Sequence, residues 1–224
     1  MPASAPPAAR TALLAGATGL VGREILAGLL ADANVGQVHT IGRRELPARH
    51  PKLAQQVVDF RALPVLPSVD EVYLALGTTI KVAGSREAFR AVDFEANLAV
   101  ARAARQSGAS RLALVSAMGA DAKSPIFYNR VKGDLEAALA GLGYEALVIA
   151  RPSFLAGDRE SLGQPVRSGE TLALRASTAL RPLIPANYRS ILARDVAAAL
   201  LQSLPQARGT TVLPSGRMQG ASRR

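Results

Sequence analysis

Short apolar runs alternate with amphipathic stretches along most of this chain. Residues 11–15, Thr-Ala-Leu-Leu-Ala, form an apolar run closed by Gly16, the pattern of a buried strand. Residues 20–30 set Leu20, Ile25, Leu26, Leu29 and Leu30 on one side of a helix. The same reading predicts strands over 37–41, 55–58 and 71–76, the last stopped by Gly77. A long helix is predicted over 86–106, with Phe89, Val92, Leu98 and Val100 among its apolar positions and Ser107-Gly108 at its end. A strand over 111–115, a helix over 127–142 and a strand over 145–149 continue the alternation. Strands separated by helices at this spacing predict an α/β fold built on a doubly wound parallel sheet.

The pattern loosens after Arg151-Pro152, where Gly157, Gly163, Pro165, Gly169, Pro182 and Pro185 recur. Helices are predicted over 171–180 and 195–204, and a last strand over 210–213. This stretch is too short for a second catalytic domain, so a small C-terminal lobe over the end of the sheet is expected, with the substrate lobe mainly within 153–205. Residues 1–9 read as a flexible tail, 10–214 as one domain, and 215–224 as a disordered basic tail. The chain carries no internal repeat.

Composition narrows the chemistry. The 224 residues are 49% hydrophobic but only 4% aromatic, with no Trp. The core is therefore aliphatic, which suits a parallel sheet covered by helices. Cysteine is absent, which excludes disulfides and thiolate metal sites. His39 and His50 fall in different segments, so no metal is expected. The Pro- and Ala-rich start lacks a secretory pattern, and no stretch has the unbroken apolar length of a membrane helix. These features predict a cytoplasmic protein with no membrane association. The formal charge is +10, but the arginines are spread along the chain; only Arg43-Arg44 and Arg217, Arg223 and Arg224 gather locally. No basic run is interleaved with aromatics, so the charge reads as a solvated surface that draws anionic cofactors, with no nucleic acid as partner.

The first predicted strand runs into Gly16-Ala17-Thr18-Gly19-Leu20-Val21-Gly22, and a helix starts there. In a dinucleotide site Gly16 permits the tight turn, Gly19 lets the backbone approach a pyrophosphate, and Gly22 lets helix and strand pack closely. The helix N-terminus offers N–H groups and the positive end of its dipole to phosphates. Glycines at this spacing are weak evidence alone; a strand before and a helix after them carry the reading. The bland alternative is a Gly-rich turn that binds nothing. The second strand ends at Ile41-Gly42-Arg43-Arg44, with no carboxylate before Glu45. An acid here would hold the 2′-hydroxyl of NAD, whereas arginine accommodates the 2′-phosphate of NADP, so NADP(H) is the expected cofactor.

Tyr128 and Lys132 lie four apart in a predicted helix and share one face. An ammonium stabilises a phenolate, so Tyr128 can give a proton to a developing alkoxide or take one in reverse. Lys132 can also hydrogen-bond ribose hydroxyls. Ser116, just past the fifth strand, lies where parallel sheets present ligand-binding groups and can orient a substrate carbonyl. The bland alternatives are a solvent-facing helix pair and a loop-capping serine.

In combination these motifs resemble the short-chain dehydrogenase/reductase superfamily, with its Rossmann sheet. Within it they resemble the atypical branch, in the group around the Tat-interacting oxidoreductase-like proteins. The segments that carry the likeness are Gly16–Gly22, Gly42-Arg43-Arg44, Leu76-Gly77-Thr78-Thr79, Val115-Ser116 with Gly119-Ala120-Asp121, Tyr128-Asn129-Arg130-Val131-Lys132-Gly133, and Arg151-Pro152 followed by Asp158-Arg159. Arg194-Asp195-Val196-Ala197 is similar to a helix start common in the superfamily. The resemblance implies that Thr18, Gly19, Leu20 and Val21 contact the pyrophosphate and that Arg43 and Arg44 face the 2′-phosphate. It implies that Leu76 and Gly77 line the adenosine side, with Asp59 and Phe60 near the adenine. It also implies Leu155 near the nicotinamide, Arg167 reaching the cofactor, and Tyr128 exchanging the proton with help from Lys132 and Ser116. Ala117 departs from the family, which often has a second serine there. Two cofactor-binding functions stay open: an oxidoreductase acting on an unidentified small carbonyl or alcohol, and a non-catalytic NADPH-binding regulator; nucleic-acid binding through the basic surface is a third reading, ranked below both. The superfamily's tendency to associate makes a homodimer compatible with either.

Overall fold

Strand β1 (Arg10–Ala15) is apolar on both faces, so both faces must be covered. The computed structural model describes residues 9–156 and 185–223. After β1 come β2 (Val35–Gly42), β3 (Leu53–Val57), β4 (Glu71–Leu74), β5 (Arg111–Val115) and β6 (Ala146–Arg151). A short β7 (Leu155–Ala156) pairs with β8 (Ile191–Leu192), and β9 (Gly209–Pro214) returns to the main sheet. That sheet has seven parallel strands in the order β3-β2-β1-β4-β5-β6-β9. The chain first builds outward from β1 through β2 to β3, then crosses to β4 on the other side. The order reverses between β1 and β4, and a crevice opens beyond their carboxyl ends.

Among the described residues the α-helices are α1 (Leu20–Ala31), α2 (Ile80–Ala83), α3 (Arg86–Arg90), α4 (Asn97–Gln106), α5 (Phe127–Ala140), α6 (Ala193–Ser203) and α7 (Ser215–Met218). The strand alternation sorts the core into two layers. Ala12 and Leu14 of β1 pack with Ile25 and Leu29 of α1 and with Val196 and Leu200 of α6. Leu13 and Ala15 pack on the opposite face with Val100 and Ala104 of α4 and Leu135 and Leu139 of α5. This is the doubly wound sheet expected from the sequence. The predicted helix over 171–180 lies outside the described residues.

Two expectations need correction. The predicted helix over 86–106 is interrupted by a π-helical turn, Ala91–Ala96, between α3 and α4. The Asn97 amide, buried beneath the turn, donates to the carbonyls of Val92 and Asp93 at 3.1 and 3.4 Å and so supports the widened backbone. The second correction is at the C-terminal end. Residues 215–223 are not a disordered basic tail: α7 and a 3₁₀ turn over Ala221–Arg223 dock on the domain. Met218 and Ala221 are buried, and Ser222 donates to Asp195 Oδ1 through its N–H at 3.1 Å and its hydroxyl at 2.5 Å. The arginines dominated the composition of this stretch, whereas the two apolar residues decide its packing.

α1 approaches β1 so closely that a Cβ on Gly22 would lie 2.0 Å from the Gly16 carbonyl oxygen, which is fixed backbone. Gly22→Ala should therefore destabilise the fold by about 1–3 kcal/mol through overpacking. Thermal unfolding should show a Tm several degrees lower, since each 1 kcal/mol moves a domain of this size by roughly 2–4 °C. An unchanged Tm would mean that α1 is not held this close.

Candidate functional site

The crevice between β1 and β4 opens into a cleft of about 930 Å³. One end is built by the loop Gly16, Ala17, Thr18 and Gly19, which leaves β1 and enters α1. Arg43 and Arg44 after β2 and Asp59 and Phe60 after β3 line a second wall, and Leu76 and Gly77 after β4 a third. Residues from four separate chain segments singled out in the sequence thus meet in one cavity. Leu20, Val21 and Gly22 are not among its walls, and Val21 is buried in the core against the sheet. Leu155 lies in β7, packed against the α1–α6 layer rather than along the cleft. Asp158, Arg159 and Arg167 lie outside the described residues.

The glycine loop tests whether a dinucleotide fits. Gly16 has φ +95°, and a Cβ there would stand 2.4 Å from the Ala75 carbonyl group, so the fold itself demands glycine. At Gly19 a Cβ would meet protein no closer than 3.5 Å. Packing does not require glycine there; an added methyl would instead occupy the cradle on the cleft side. Helix α1 starts with no side-chain cap and no acid in its first turn, which leaves an anion-binding N-terminus facing the loop. The residues present therefore fit a pyrophosphate.

Helix α5 carries the candidate groups at four-residue intervals. Tyr128 is half-buried, with its ring centroid 5.5 Å from that of Phe89. One turn on, Lys132 is buried and its Nζ lies 2.7 Å from Asp93 Oδ1, itself 1% exposed, in the π turn. The other Asp93 oxygen accepts the Thr78 N–H at 2.8 Å. One carboxylate thus ties α5, the π turn and the loop after β4 together. A Cβ on Gly77 would lie 4.0 Å from Lys132 Nζ, so the ammonium stands directly behind the Gly77 end of the cleft.

A further turn along α5, Glu136 is buried and accepts the Ser116 hydroxyl at 2.5 Å. The same carboxylate is gripped by Arg151, through Nε at 3.1 and 3.2 Å and through a terminal nitrogen at 2.5 Å. Hydrogen bonding to Glu136 raises the Arg151 pKa above its ordinary value, so the guanidinium stays charged. Ser116 therefore spends its proton on Glu136 and presents oxygen lone pairs to any further partner.

Asp93, Asn97, Glu136 and Arg151 were not singled out as site residues in the sequence. A signal for three of them was present. Asp93 and Asn97 interrupt the apolar stripe that holds Phe89, Val100 and Ala104, and Glu136 extends the Tyr128–Lys132 face by one turn. Polar residues on a buried helix face need partners, which marks them for attention. The pairing of Asp93 with Lys132 and of Glu136 with Ser116 and Arg151 joins separate elements and leaves no local pattern in the sequence.

No protein-family model matches the chain. Among solved structures, MoeE5 in complex with UDP-glucuronic acid and NAD superposes with a TM-score of 0.69 at 20% identity, over 92% of this chain and 76% of that one. A short chain dehydrogenase family protein from Francisella tularensis gives 0.65 at 14% identity, over 94% and 99%. The fold is thus the Rossmann-like fold that these structures share. Among curated proteins, Protein fmp52, mitochondrial, of Emericella nidulans is 39% identical over 159 residues, 66% of this chain and 67% of that protein. Protein FMP52, mitochondrial, of Eremothecium gossypii is 38% identical over 153 residues, 67% and 68% respectively. The chain belongs to the FMP52 family. The expectation of a cytoplasmic protein is overturned by these relatives, which bear a mitochondrial designation. That expectation rested on the lack of a secretory pattern, but cellular address is read by receptors and is no consequence of the fold.

The Asp93–Lys132 pair yields a stability prediction. Asp93→Asn leaves a buried ammonium without its counter-charge and should cost about 3–5 kcal/mol. Removing the charge as well, in Asp93→Asn/Lys132→Met, should recover part of that loss in denaturant unfolding. A single variant as stable as the parent would show the pair is not held in this arrangement.

Proposed function

We propose that this protein is an NADP(H)-dependent oxidoreductase of the atypical short-chain dehydrogenase/reductase type, in the Tat-interacting oxidoreductase-like branch. Its substrate class is a small carbonyl or the corresponding alcohol. The observation that carries the reading is the junction at Gly77, where the dinucleotide cleft meets the buried Lys132 of the Tyr128–Lys132 face. The solved structures that share the fold and are named as complexes with NAD support a nicotinamide dinucleotide. Arg43 and Arg44 support the phosphorylated form: both are exposed on the cleft, and the neighbouring Glu45 lies 3.8 Å from Arg49.

When bound, the nicotinamide supplies or accepts the hydride. Tyr128 moves the proton at its phenol oxygen, to the substrate oxygen in reduction and from it in oxidation. Lys132, held by Asp93, keeps further ammonium hydrogens for hydroxyl groups at the Gly77 end of the cleft. Ser116, with its O–H directed to Glu136, accepts a hydrogen bond from a substrate hydroxyl or from the Tyr128 phenol. That last feature also favours a second reading, a non-catalytic NADPH-binding regulator, because a serine without a free proton is a poor donor to a carbonyl.

Thermal unfolding with NADPH and NADH side by side tests the cofactor. A ligand of the folded form stabilises by about 2.7 kcal/mol at a hundredfold excess over Kd, so NADPH should raise Tm well above NADH at equal concentration. No shift with either nucleotide refutes the cofactor site. Turnover is tested with Tyr128→Phe in a carbonyl panel that follows NADPH oxidation. The variant should bind NADPH like the parent and lose about 10²–10⁴-fold in rate. Equal rates remove Tyr128 from the mechanism, and a parent inert across the panel favours the regulator.

A further inference from the structure

We infer that Arg61 is a specificity-determining residue of the cleft: with Arg43 and Arg44 it forms a receptor of three guanidinium groups for a phosphate carried on the adenosine ribose. The inference rests on the dinucleotide reading above and adds a residue to it. Strands β2 and β3 run parallel with Gly42 opposite Val57, and the Val58 N–H donates to the Gly42 carbonyl at 2.9 Å. The loops that leave the two strands therefore start side by side. The first carries Arg43 and Arg44.

The second loop turns sharply. Asp59 Oδ1 accepts the Arg61 N–H at 3.0 Å, and the Asp59 carbonyl accepts the Ala62 N–H at 3.0 Å. This local turn, which Asp favours, places Arg61 on the same cleft as Arg43 and Arg44. It also engages the Asp59 carboxylate, the acid nearest to Arg61 in sequence. Among the described residues, the side chains of Arg43, Arg44 and Arg61 make no hydrogen bond or ion pair. Glu45, the other acid on this wall, lies beside Arg49. Three guanidinium groups on one wall without acidic partners repel one another, and a phosphate dianion relieves that repulsion while accepting their hydrogens. An unphosphorylated ribose has no charge to offer.

A guanidinium can also stack on the adenine ring, which every adenine dinucleotide shares, so the discriminating quantity is selectivity. Binding of NADPH, NADH, adenosine 2′,5′-bisphosphate and AMP to the full-length protein is measured by calorimetry for the parent, Arg61→Ala and Arg61→Lys. Arg61→Ala should weaken NADPH and the bisphosphate about tenfold or more, as expected for losing a hydrogen bond to a charged group, and change NADH and AMP less than about twofold. Arg61→Lys should recover part of the loss, because it restores charge without the planar fork. Arg61 is exposed, so the unliganded Tm should stay at the parent value. Equal losses for NADPH and NADH would assign Arg61 to the adenine and overturn the inference, as would an Arg61→Ala variant as selective as the parent. A parent that binds neither dinucleotide would refute the cofactor reading itself, and Arg61 with it.

Discussion

Three chain segments converge on Gly16. A Cβ on that residue would press into the Ala75 carbonyl group at 2.4 Å, and a Cβ on Gly22 would strike the Gly16 oxygen at 2.0 Å. The end of β1, the end of β4 and the first turn of α1 are therefore packed backbone to backbone around one point. The contact can exist only because neither glycine carries a side chain. It fixes the start of α1 at the switch point of the sheet and keeps the loop after β4 beside it. The cleft is the space left above that junction.

The core beneath is aliphatic, yet α5 carries a row of polar residues into it. Lys132 meets Asp93, and Glu136 meets Ser116 and Arg151, all close to the carboxyl ends of the strands. Desolvating such groups is costly, and each is tolerated because a partner of opposite charge or a hydroxyl satisfies it. The π turn belongs to the same arrangement. It brings Asp93 to the ammonium, while the Asn97 amide occupies the carbonyls that the widened turn exposes. A regular helix over this stretch would set its polar residues at a different rotation. Turns of this type are frequent at functional sites, where geometry outweighs regularity.

The Ser116 hydroxyl shows how a neighbour redefines a residue's role. Ser116 and Tyr128 by themselves make two donors for one carbonyl oxygen. With the seryl O–H directed to Glu136, the two offer one phenol donor and one acceptor oxygen. The chemistry open to the site changes although no reactive residue has changed.

The sequence alone determined the doubly wound architecture, because strands buried on both faces must be continuously apolar and helices covering them must be amphipathic. It also located the glycine loop, Arg43-Arg44 and the Tyr128–Lys132 face, since each is written in local spacing. Its errors about the fold lay where local composition and packing disagree. The arginines of residues 215–224 hid the burial of Met218 and Ala221, and regular periodicity hid the π turn. Only the tertiary structure decided that Lys132 is paired with Asp93, that Ser116 donates a hydrogen bond to Glu136, and that Arg61 shares a wall with Arg43 and Arg44. The physical reason is common to all three. A side chain's partner is set by which elements the sheet order brings together, and residues 39, 20 and 18 positions apart in the chain leave no local pattern of their contact.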